Sequence, residues 1–192
     1  MRAFDTGPGV AVIDGVTRAL VPGAPYDVDG RLARSGNAIE PVVRQMLEDP
    51  FFAASPPKST GRELFSFDYI ARFMHSCRSN SPEATEADIV ATAVSLTARS
   101  IGDAYRRWVP GDVDEAVLSG GGAKNPVLVD AIAAAIAPVR AVLFEDLFFD
   151  GEAKEAVAFA LLGYLHLTKR SGNVPSATGA RGARILGKWS PA

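Results

Sequence analysis

One stretch, EAVLSGGGAKNPVLVDAIAAAIAPVRAVLFED (residues 115–146), constrains the fold more than any other part of the chain. In order it reads as a strand, a glycine loop, a helix that starts near Asn125 and Pro126, and a second strand. That is a βαβ unit, two strands joined by a crossover helix, and it places the chain in the α/β class.

The segments before it are helical in pattern. Val10, Ile13, Val16, Thr17 and Leu20 repeat at three- and four-residue spacing and predict an amphipathic helix over 9–20, stopped by Pro22 and Gly23. GAPYDVDGRLARSGN reads as a polar, turn-rich segment. A short helix follows over 39–47 with Val42, Val43, Met46 and Leu47 inward, then a long loop, DPFFAASPPKSTGRE, then another short helix over 65–73. The longest helical pattern covers 86–108. Thr85 with Asp88 has capping-box spacing, Ile89, Ala93, Leu96, Ser100, Ile101 and Tyr105 share a face, and Pro110 ends it. After the βαβ unit a helix is predicted over 152–169, with Val157, Leu161, Tyr164, Leu165 and Thr168 at helical spacing, and then a loop-rich tail.

With 20 basic and 22 acidic residues among 192, the formal charge is -2 at pH 7, which gives no electrostatic reason to expect a nucleic-acid or membrane-surface partner. The single cysteine, Cys77, excludes an internal disulfide and reads as a small core residue. The first residues carry no apolar leader and the longest apolar run, 156–165, is too short to span a bilayer, so a soluble cytoplasmic chain that binds small molecules is expected.

Gly120, Gly121 and Gly122 lie between a strand and a helix, where backbone N–H groups can approach a phosphate or ribose without a Cβ in the way. The same glycines could simply make a tight turn. Asp5, in FDTGPG, stands at the mouth of a glycine loop beside Thr6 and could take a proton from water or a sugar hydroxyl; taken alone, it reads better as the N-cap of the next helix. Glu155 is one acid near the N-terminus of an apolar helix, where the helix dipole accounts for it. PPKSTGRE offers a lysine, two hydroxyls and an arginine, yet by composition it is a solvated loop. His75 and His166 lack acidic or cysteine partners at metal spacing and read as structural. GARILGKW follows P-loop spacing but has Trp189 where a Ser or Thr is needed, and GPGVAV lacks the third glycine of a dinucleotide fingerprint.

Taken in order, FDTGPGVAVID, PYDVDGRLARSG, PPKSTGRE, LSGGGAKNP, KEAVAFALLG and GNVPSATGARGARILG resemble the anhydro-N-acetylmuramic acid kinases over nearly the whole chain. That family resembles the actin, hexokinase and Hsp70 type of ATPase. The resemblance therefore implies one lobe of an actin-like (ribonuclease H-like) fold, with helices packed on a small mixed sheet. Residues 1–192 would form the C-terminal lobe, with a mainly helical, sugar-side part over 1–110 and a nucleotide-side βαβ part over 111–192. No segment matches the first phosphate loop of such kinases, so the N-terminal lobe is expected to be absent. That would explain why a catalytic loop follows only three residues.

The activity implied is ATP-dependent opening of the 1,6-anhydro ring of the cell-wall sugar with phosphorylation of O6. The partners implied are the sugar, ATP, the N-terminal lobe of the same kinase and a second copy in a homodimer, with Mg2+ held mainly by the other lobe. Asp5 matches the family's general base. Thr6, Gly7 and Glu155 are expected to bind the sugar, and Gly120, Gly121, Gly122 and Asn125 the nucleotide. Lys58, Ser59 and Thr60 match a family loop without an assigned role. Two departures stand out: Val10 where many relatives carry Asn, and Lys124 where His is frequent. The competing expectation is a non-catalytic binding or assembly module derived from the kinase.

Overall fold

The computed structural model describes residues 1–61, 63–109, 111 and 113–190. Pro110, read as a helix stop, and Arg62 of the polar loop lie outside the described residues. The chain divides into two compact units: Asp5–Leu143, and Met1–Phe4 with the residues from Phe144 onward.

The larger unit is organised around one long helix. Among the described residues six α-helices precede the sheet: α1 (Ala11–Leu20), α2 (Arg31–Ser35), α3 (Glu40–Leu47), α4 (Pro50–Ala53), α5 (Phe67–Asn80) and α6 (Glu86–Trp108). The capping box starts α6: the Thr85 hydroxyl accepts from the Asp88 amide at 3.2 Å and the Asp88 carboxylate accepts from the Thr85 amide at 2.9 Å. Ile89, Val90, Ala93, Leu96 and Ala104 then bury its inner face. Around it pack α1, α2 and α3, closing a core of Val12, Ile13, Val16, Val42, Tyr69, Phe73 and Cys77. Burying each large aliphatic side chain of this cluster contributes about 1.5–3 kcal/mol.

Three features depart from the sequence reading. The turn-rich stretch holds a helix, α2, because buried Asp27 accepts from the Leu32 and Ala33 amides at 2.9 and 3.1 Å and satisfies that helix's first donors. The short helix α4 interrupts the long loop, capped by the Asp49 carboxylate on the Phe51 amide. Helix α5 runs to Asn80 instead of 73, because Cys77 continues the buried stripe of Tyr69, Ile70 and Phe73 one turn further.

The βαβ unit is as read. Strand β1 (Glu115–Leu118) leads through a single 3₁₀ turn (Gly121–Lys124) into α7 (Pro126–Ile136) and strand β2 (Arg140–Leu143). The strands pair in parallel, Glu115 opposite Arg140 and Leu118 opposite Leu143, and Arg140 reaches Glu115 at 3.2 Å. Helix α7 buries Leu128, Ile132 and Ile136 and packs on α6 and β2. The expected mixed sheet is thus corrected: among the described residues the sheet has two strands and both are parallel. The remaining apolar segments repeat at helical spacing and supply no antiparallel strand.

The smaller unit carries α8 (Phe144–Leu147), a 3₁₀ turn (Gly151–Ala153), α9 (Lys154–Leu167) and α10 (Pro175–Thr178). Asp150 caps the turn through the Glu152 amide, and Lys169, at φ 55°, ends α9. The apolar stripe expected on α9 is not buried: Val157, Leu161 and Tyr164 are exposed, and none of the unit's described residues is buried. Among the described residues the unit offers two four-residue helices, a 3₁₀ turn and loops to pack against it.

Candidate active site

Asp5, Gly7 and Gly9 tie their loop to α6 and to the polar loop that follows α4. The Gly9 carbonyl accepts from the Thr97 hydroxyl at 2.9 Å, and Ser100, one turn further along α6, donates to the Thr97 carbonyl at 2.8 Å. A side chain at Gly7 would collide with Ser100 Oγ, so only glycine lets the loop lie this close to α6. Thr97 and Ser100 are hydroxyls on the inner face of α6, both buried. Such a polar interruption of an apolar stripe was the one sequence signal for this contact.

Asp5 is held by the loop 58–60. Its amide donates to the Lys58 carbonyl at 3.0 Å, and its Oδ2 accepts from the Ser59 hydroxyl at 2.9 Å and from the Thr60 amide at 2.8 Å. The N-cap reading of Asp5 is therefore corrected. The cap of α1 is Val10, which makes no side-chain cap bond, because the loop carries Asp5 away from the helix to the 58–60 segment. PPKSTGRE stays solvated at Pro57, Ser59, Gly61 and Glu63, which are exposed, while Lys58 turns inward. Lys58 donates from Nζ to the Phe51 and Phe52 carbonyls at 2.9 and 3.2 Å and lies 4.6 Å from the centre of the Phe51 ring. Burial, with Arg107 adding to it, holds the Lys58 ammonium below the ordinary lysine value.

The glycine loop belongs to the same unit. A Cβ built on Gly122 would meet Val10 Cγ1 at 3.2 Å and Leu128 Cδ2 at 3.3 Å, so the residue that follows FDTGPG packs directly on the glycine turn. Gly120 has φ 85°, and no atom lies within 4 Å of a Cβ built there or on Gly121. This turn lies between the end of β1 and the start of α7 with its backbone open on that side. Asn125 Oδ1 accepts from the Leu128 amide at 3.1 Å and caps α7, so its carbonyl builds the turn. Thr6 and Gly7 lie in the Asp5 loop, half-buried. Glu155, exposed in the first turn of α9, belongs to the smaller unit.

His75 contacts the Ser79 hydroxyl at 3.4 Å and His166 Nδ1 contacts the Leu186 carbonyl at 2.8 Å, both ordinary local bonds. Among the described residues no group of three or more His, Cys, Asp or Glu could hold a metal ion. No helix among them is long and apolar enough to cross a membrane.

A family profile described as anhydro-N-acetylmuramic acid kinase matches residues 1–192. The chain belongs to the anhydro-N-acetylmuramic acid kinase family. Proteins named as such kinases are similar to it over almost all its length: 41% identity in Gloeobacter violaceus across 99% of the chain, and 40% in Caldanaerobacter subterraneus subsp. tengcongensis and Streptomyces coelicolor across 98%. The chain covers 49, 48 and 47% of those relatives. It therefore spans about half the length of the curated relatives it matches.

Proposed function

We propose that this chain provides the water-activating base and a nucleotide-side loop of an ATP-dependent cytoplasmic kinase that converts 1,6-anhydro-N-acetylmuramic acid to N-acetylmuramic acid 6-phosphate. The observation that carries this reading is the placement of Asp5, fixed by Ser59 and Thr60, in one compact unit with the open glycine turn on which Val10 packs. A fixed carboxylate and an open glycine turn in one compact unit suit a reaction in which a water and a γ-phosphoryl group must both be handled.

In this reading residues 1–110 take the sugar side and 111–192 the nucleotide side of one actin-like lobe. Asp5 takes a proton from water as the water oxygen bonds to the anomeric carbon. The C1–O6 bond breaks, O6 takes the γ-phosphoryl group of ATP, ADP departs and the proton passes from Asp5 to solvent. Thr6 and Gly7 orient the sugar, and the Gly120–Gly122 backbone with Asn125 shapes the nucleotide side. The charge clamp on the β- and γ-phosphates, magnesium included, falls to the half of the relatives that this chain does not match, so turnover requires that half.

The test is product formation from anhydro-sugar and ATP by this chain combined with the complementary half of a family member. Asp5→Asn should lower turnover by about 10²–10⁴-fold, the range for loss of a general base, with sugar binding retained by calorimetry. Wild-type turnover in that variant, or full turnover by this chain alone, would refute the reading.

A further inference from the structure

The loop 58–60 grips Asp5 at three points, and two of them fall on one carboxylate oxygen. The Ser59 hydroxyl and the Thr60 amide both donate to Oδ2, while the Asp5 amide donates back to the Lys58 carbonyl. The grip is itself anchored, because Lys58 Nζ bonds the Phe51 and Phe52 carbonyls, and the Phe51, Phe52, Phe65 and Tyr69 rings pack edge to face or tilted beneath it. The Cβ–Cγ torsion of an aspartate is broad and two-fold, so a carboxylate without such donors presents either oxygen over a wide arc. Two donors on one oxygen remove that freedom.

We propose that Ser59 and the Thr60 amide are positioning groups that hold Asp5 by Oδ2, so that Oδ1 is the atom that receives the proton from water. The proposal rests on the reading of Asp5 as the base. It divides the work of the KST segment between two functions, since Lys58 fastens the loop to α4 and the next two residues aim the carboxylate. Ser59 touches neither water nor sugar in this scheme and acts only through Asp5. A misplacement of about 1 Å in a reacting group can cost about 10²-fold in rate, which sets the scale of the effect.

The experiment uses the chain together with the complementary half of a family member, with Asp5→Asn, Ser59→Ala, Ser59→Thr and the Asp5→Asn/Ser59→Ala pair. Ser59→Ala should lower kcat by about 10- to 100-fold, with KM for the sugar changed less than about two-fold, since the ground-state contacts are intact. Ser59→Thr, which keeps the hydroxyl, should restore most of the loss. The double variant should be no slower than Asp5→Asn, because a group that acts through the carboxylate has nothing left to position. In parallel, the chain alone carrying Asp5→Ala should show faster hydrogen exchange at the Thr60 amide than the wild type.

If Ser59→Ala keeps wild-type kcat, or lowers the Asp5→Asn rate further by its full factor, the positioning role is overturned while the base stands. Wild-type turnover in Asp5→Asn removes the base, and the positioning role with it, even where Thr60 exchange still accelerates. Unchanged Thr60 exchange overturns the clamp directly.

Discussion

Cys77 has no exposed surface on α5, and burial pushes its thiol up to about 12 against smaller opposing pulls from the Thr92 hydroxyl and Arg78. The thiolate is the reactive form, and at pH 8 its share is about one part in ten thousand for such a group. Maleimide added at pH 8 should therefore label the urea-unfolded chain at least about 100-fold faster than the folded one. Equal rates by mass spectrometry would show that the core around Phe73 and Ile89 opens readily. This burial was readable from a lone cysteine in a helical segment. The partners of Asp5 were not, because a hydroxyl and a main-chain amide 54 and 55 residues away leave no periodic trace in a polar loop. What marked Asp5 and the three glycines was composition at a turn, and composition does not say which groups meet.

Among the elements, α6 was the most legible because cap, periodicity and length agree over 23 residues. The short α2 was hidden by turn-forming residues whose Asp27 turns out to accept from the Leu32 and Ala33 amides. At the start of α6 the Asp88 carboxyl is held below the usual carboxylate value, first by the Thr85 hydroxyl and then by the Asn37 and Thr85 amides. A depressed folded value stabilises the fold above the unfolded value near 3.8 and loses that contribution as pH falls through the folded value. Asp88→Asn should therefore flatten the acid limb of the stability curve below about pH 4. Removal of the cap by Thr85→Ala should cost about 1 kcal/mol at pH 7. Urea titrations from pH 2 to 7 read both, and a Thr85→Ala variant as stable as the wild type would show that tertiary packing alone fixes the start of α6.

Across the whole chain, burial is uneven. The core cluster lies entirely within the larger unit, whereas from Phe144 to Ser190 no residue is buried and large apolar side chains such as Phe159 and Trp189 stand 71 and 64% exposed. The sequence could not have shown this difference, since α9 is as apolar as a core helix and periodicity reports what a face could bury, not what covers it. Local opening costs least where few apolar contacts must be broken, and a 14-residue helix is marginal without tertiary packing. Under native conditions the amides of Lys154–Leu167 should therefore exchange at least about 100-fold faster than those of the buried face of Glu86–Trp108, a difference of about 2.7 kcal/mol in opening free energy. Addition of the complementary half of a family member should slow exchange in α9 if that half covers the helix, and leave α6 unchanged. Protection in α9 equal to that of α6 in the chain alone would mean that α9 opens only with the whole fold.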